Sequence, residues 1–131
     1  MQEYLGQDDP TTVRLMSGFG GGIGGSGSIC GAIVGGVGGL SLSYGRGSVD
    51  ERESRKLFPL CTELYRRFQG EIETSRFCRE ITGIDFADPE QAKAFSSSPE
   101  KRGRCARLVG ETANMVCEML AREKSAETQN S

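Results

Sequence analysis

Histidine is missing from this 131-residue chain, and so is tryptophan. The missing histidine excludes most. Without imidazole there is no such general base, zinc ligand or haem ligand, so Ser-His-Asp, Cys-His and His-Glu-x-x-His chemistry fall by inventory. A strong charge of either sign is lacking too. With 16 Lys and Arg against 18 Asp and Glu, the net charge is −2, and no basic surplus offers itself to nucleic acid. The cysteines, Cys30, Cys61, Cys78, Cys105 and Cys117, contain no Cys-x-x-Cys pair. That removes a thioredoxin-type motif, a zinc ribbon and covalent haem attachment. The first ten residues, MQEYLGQDDP, lack the apolar run of a secretory leader. The expected compartment is therefore a reducing cytoplasm, where five thiols signify free, redox or metal-binding groups more than a disulfide frame.

Charge is absent altogether from residues 15–45, which hold 13 of the 19 glycines. The run is long enough to span a membrane, but too thin in bulky apolar side chains for that to be the expectation. Its first part, GFGGGIGGSGS, reads as a loop. Its second, ICGAIVGGVGGLSLSY, reads as a helix, because Ile29, Ile33, Val37 and Leu40 recur at near-helical spacing. Gly31, Gly35 and Gly38 or Gly39 recur similarly. Each costs about 1 kcal/mol against alanine in a helix interior, and close approach by a neighbouring backbone is the natural reason to keep them.

The remaining pattern is helical. Asp9-Pro10 is a cap followed by proline at the first helical position, with Val13 and Met16 on the inner face. An amphipathic helix follows the RGS loop, with Leu57, Cys61, Leu64 and Phe68 on one face and Pro59 bending it or splitting off its first turn. A single helical turn is expected near 78–82. Asp88-Pro89 opens a short helix, and a last helix runs from Pro99 or Lys101 to Glu123 with Cys105, Leu108, Val109, Thr112, Val116 and Leu120 on one side. No strand pattern is present. The expectation is an all-α chain, a small bundle of four to five helices in one domain over residues 1–124, with a glycine-rich loop before the CGAxxG helix and a disordered tail at 125–131.

Three cysteines stand where chemistry is plausible. Cys30 lies in the first turn of the glycine-rich helix, where unpaired N–H groups and the helix dipole favour a thiolate. Gly27 and Gly31 leave room beside its sulfur and make a cofactor-binding backbone. Cys78 lies between Arg76 and Arg79 at a helix start, and Cys105 follows Lys101, Arg102 and Arg104 near the start of the last helix. If these sulfurs meet, they can exchange a disulfide with a third thiol, or hold a metal ion or iron–sulfur centre. Cys61 reads as core and Cys117 as structural. The glycine run also matches GxGxxG at Gly20, Gly22 and Gly25, but no strand precedes it, so a dinucleotide fold is not implied.

SGFGGGIGGSGSICGAIVG, with Cys30-Gly31-Ala32-Ile33-Val34-Gly35 as CGAxxG, resembles the family of redox-active proteins named for that motif and its four cysteines, C_GCAxxG_C_C. FCREITGIDF is similar to the stretch around the family's third cysteine, here Cys78. RCARLVGETANMV is similar to the helix carrying the fourth, here Cys105. The resemblance implies redox or metal chemistry, and a scaffold related to the split-Soret cytochromes without their haem. The family's first cysteine lies upstream of SGFGGG, where this chain has none. Cys61 and Cys117 are not family positions.

The expected function is thus thiol redox work, or binding of a metal ion or iron–sulfur centre, through Cys30, Cys78 and Cys105, with a redox partner protein and a homodimer as the expected associations. Two other classes stay open. One is a non-catalytic helical interaction module or oligomeric scaffold. The other is a small-anion site made by the N–H groups of the glycine loop.

Overall fold

The computed structural model describes residues 1–130, and its regular elements are helices. In chain order these are α1 (Pro10–Met16), α2 (Gly31–Tyr44), α3 (Leu57–Arg67), α4 (Cys78–Thr82), α5 (Pro89–Ser96) and α6 (Pro99–Gln129), with a 3-10 turn at Ser17–Phe19 and a wide turn at Phe68–Ile72. Among the described residues there is no strand, only two isolated bridges. The all-α expectation holds. The helix number exceeds four to five because the turn at Cys78–Thr82 is a helix in its own right.

Three helices begin with the same device. Asp9, Asp88 and Ser98 each accept a backbone N–H, from Thr11 at 2.9 Å, Glu90 at 2.9 Å and Lys101 at 3.3 Å, and each precedes a proline. The side-chain oxygen satisfies a donor that the first turn cannot, and proline gives up a donor the helix never needed. Pro59 acts in the same sense. It falls in the first turn of α3, which begins at Leu57, so the upstream VDERESRK stretch is not helical.

α2, α3 and α6 pack around one core, in which Leu40, Leu64, Phe68, Val116 and Met119 are almost wholly buried. The helices approach closely at Gly36. A Cβ there would lie 2.7 Å from Leu64 Cδ2, 3.2 Å from Val116 Cγ2 and 3.3 Å from Thr112 Cγ2. Of the expected series, Gly31 and Gly39 are also closely approached, by the Phe19 carbonyl oxygen and the Met1 side chain, each 2.9 Å from where a Cβ would stand. A Cβ on Gly35 would meet nothing within 4 Å. Buried Thr112 is satisfied by donating to the Leu108 carbonyl at 2.8 Å.

Two expectations fail. Val13 is 62% exposed, so α1, which touches α2 through Met16 at Gly38, does not bury the whole face assigned to it. And α6 continues through Gln129, beyond residue 124. Lys56 explains part of this. It pairs with Glu123 at 3.1 Å and Glu127 at 2.9 Å, holding the last turns against the loop before α3.

Candidate functional site: three sulfurs around an apolar cavity

The glycine loop at residues 18–27 is the part that shapes the site. Residues 21–25 all have positive φ, between 59° and 80°, and four of the five are glycine. L side chains other than glycine and, at times, Asn or Asp avoid this region, so the loop needs that composition. Ile23 is the exception, at φ 67°. The loop is closed by its own backbone: Ile23, Gly24, Gly25, Gly27 and Ser28 donate to the carbonyls of Phe19, Gly18, Gly20, Gly21 and Gly22. Those five N–H groups are therefore spent internally and are not offered to an anion.

The loop leads into a single antiparallel bridge, Ile29 with Phe77. Cys30 N–H donates to the Arg76 carbonyl at 2.8 Å, and Cys78 N–H to the Ser28 carbonyl at 2.7 Å. Side chains alternate along extended backbone, so Cys30 and Cys78 share the face opposite Ile29 and Phe77. Two helices start side by side here, α2 with Cys30 as its N-cap and α4 with Cys78 as its first residue. Gly31 and Gly27 are filled by the chain itself. A Cβ on Gly31 would lie 2.9 Å from the Phe19 carbonyl oxygen, and one on Gly27 3.0 Å from Arg79 Cβ.

Cys105 is not at a helix start. Ser98 caps α6, so Cys105 lies in the second turn, where its N–H is already used within the helix. Its side chain still reaches the others. Cys30, Cys78 and Cys105 all line one cavity of about 640 Å³. They share it with Phe19, Phe86, Phe95, Ile81 and Val109, and with the glycines of the loop; no charged side chain is part of the wall. Phe86 and Phe95 meet edge to face, their ring centres 5.1 Å apart. Sequence reasoning missed this apolar wall. Phe86 and Phe95 flank the Asp88-Pro89 helix start, and an aromatic on each side of such a cap was the available signal.

The thiols do not have the lowered pKa that helix starts and arginines led one to expect. Burial pushes the Cys30 thiol up; the N–H groups of Ala32 and Ile33 pull it back only in part, and Glu73 adds to the rise. Burial also raises Cys78, and charge on Cys30 and Cys105 raises it further. Cys105 is raised by burial and by Cys30, against a smaller opposing pull from Arg104. The other arginines face elsewhere. Arg76 donates to the Tyr65 carbonyl at 2.5 Å and lies over the Tyr65 ring at 4.2 Å, closing the end of α3. Arg79 pairs with Asp85 at 3.3 Å. Desolvation therefore outweighs the helix N-terminus at Cys30.

The remaining cysteines lie apart. Cys61 packs half-buried against the core, and Cys117 contacts the Met1 sulfur at 3.8 Å. All five are unbridged. Among the described residues, no three Cys, Asp or Glu side chains stand close enough to hold one metal ion. No helix among them is long and apolar enough to cross a membrane.

A family model described as "Putative redox-active protein (C_GCAxxG_C_C)" matches residues 1–119. No curated protein and no solved structure matches the chain.

Proposed function

The chain belongs to the C_GCAxxG_C_C family of redox-active proteins, and on that premise we propose that Cys30, Cys78 and Cys105 are its working groups and together hold an iron–sulfur centre. The observation that carries this reading is that three separate elements, the end of the glycine loop, α4 and α6, each turn a thiol into the same apolar cavity. Thiolate is a ligand of choice for such a centre, which when bound would favour the deprotonated sulfurs and supply one-electron chemistry.

The chain's own residues do the rest. Cys30 is the N-cap of α2, so its sulfur stands by the first-turn N–H groups of Ala32 and Ile33, which oppose part of the rise in its pKa, and such nearby donors tune the potential of a sulfur-ligated group. The wall around the sulfurs is largely apolar. Glu73, held by Arg104 at 2.9 Å, adds a negative charge near Cys30 and Cys105.

A thiol–disulfide couple is the second reading, since Cys30 and Cys78 share a face of the bridge.

The test is anaerobic reconstitution of the full chain with ferrous iron and sulfide, followed by iron and sulfide analysis and a visible spectrum. Iron and charge-transfer absorption should be lost on Cys30→Ser, Cys78→Ser or Cys105→Ser and kept on Cys61→Ser and Cys117→Ser. Retention of iron by Cys30→Ser, or no retention by the parent chain, overturns the proposal.

A further inference from the structure

The cavity is larger than three sulfurs need, and its aromatic part has no role in holding them. We infer that this part of the cavity binds an uncharged ring of the quinone class, the electron carrier that meets the sulfur site. The inference rests on the redox reading above for the purpose of the ring, though not for its binding.

Three features select the ligand. The volume, about 640 Å³, lies in the range of small-molecule sites, about 300–1,000 Å³. The wall includes Phe19, Phe86, Phe95 and Val109, and the edge-to-face pair of Phe86 and Phe95 presents aromatic surface to a flat guest. No lysine, arginine, aspartate or glutamate lines the space. A nucleotide cofactor, an acidic disulfide such as oxidised glutathione, or any other charged carrier would leave its charge unpaired there, at high cost. Among redox carriers an uncharged quinone ring avoids that cost. The Thr82 hydroxyl in the wall is already engaged, donating to the Cys78 carbonyl at 2.8 Å and accepting from the Ile84 N–H at 3.1 Å, so the ring is held by its apolar faces.

Gly35 provides a clean test. It lines the cavity, lies on α2 with ordinary helical backbone, and has open space where a side chain would stand. Gly35→Leu should fold, leave the three thiols in place and fill the space intended for the ring. Val109→Arg, at an exposed position on the cavity lip, is the second variant and brings charge to the entrance.

The probe is duroquinone, whose fully methylated ring does not add thiols, titrated by calorimetry into the full chain. The parent chain should bind one equivalent. Gly35→Leu and Val109→Arg, each checked for helicity by circular dichroism, should bind at least about tenfold more weakly, and anthraquinone-2-sulfonate should show a similar deficit on the parent chain. Absence of duroquinone binding, equal binding by both variants, or equal affinity for the sulfonate overturns the inference. Iron loading of the parent and Gly35→Leu is measured in parallel. Iron in both with no duroquinone binding sinks the ring site alone; duroquinone binding blocked by Gly35→Leu with no iron sinks the metal centre alone.

Discussion

A Cβ on Gly22 would lie 2.6 Å from the Cβ of Cys78. The same atom would lie 2.7 Å from the backbone nitrogen and oxygen of Ser28. The glycine loop thus rests directly on one of the three sulfur-bearing residues, and the space that lets it do so is the absent side chain.

Gly22→Ala should therefore be costly. It meets both the left-handed backbone penalty, about 1–2 kcal/mol, and an overpacking cost of about 1–3 kcal/mol. Gly24→Ala shares the positive φ but faces open space, so it should lose only the first contribution. Urea unfolding of both variants measures the difference, and the Gly22 variant should also lose more iron on reconstitution.

Ile23 occupies the same left-handed run with a β-branched side chain that is 46% exposed. Ile23→Asn should relieve that strain. The expected gain is about 1 kcal/mol, or a rise in Tm of about 3 °C for a chain of this size, read by thermal circular dichroism.

The helix glycines should divide by what faces them. Gly36→Ala brings a methyl group against Leu64, Val116 and Thr112 and should cost about 1–3 kcal/mol. Gly35→Ala meets nothing and should stabilise α2 by up to about 1 kcal/mol. The two denaturation midpoints should move in opposite directions.

The raised thiol pKa values fix the sign of a pH effect. Cys30, Cys78 and Cys105 hold their protons to higher pH folded than unfolded. Their contribution is complete below the ordinary thiol pKa, about 8.5, and is lost as pH rises through the folded values. Unfolding free energy of the metal-free chain should fall above about pH 8.5, more than in a Cys30→Ser variant. Iron uptake, which must displace the protons, should rise over the same range.

Local signals in the sequence were strong where they involved one residue and its near neighbours. Asp9 and Asp88 before proline located two helix starts, and the spacing of Leu57, Leu64 and Phe68 located the buried side of α3 and the turn after it. The candidate sulfurs were legible as well, because motif and helix position both pointed to Cys30 and Cys78. Their electrostatics were not. Arg76 and Arg79 are adjacent to Cys78 in the chain, yet Arg76 turns to α3 and Arg79 to Asp85. Sequence proximity to a cation does not say where the guanidinium points. The register of Cys105 depended on whether α6 began at Pro99 or later, and six residues of helix separate a dipole-stabilised thiol from an ordinary buried one. Gly36 could not be told from Gly35 by spacing, since which glycine faces Leu64 depends on how α2 is rotated against α3.

The convergence of the three sulfurs is tested most directly by dibromobimane, a small uncharged reagent that becomes fluorescent once it has alkylated two neighbouring thiols. The metal-free full chain, treated under reducing, anaerobic conditions and digested for mass spectrometry, should yield bridged peptides joining Cys30 to Cys78 or Cys105. Bridges confined to Cys61 or Cys117, or only singly attached reagent at all five positions, would show that the sulfurs do not face one cavity.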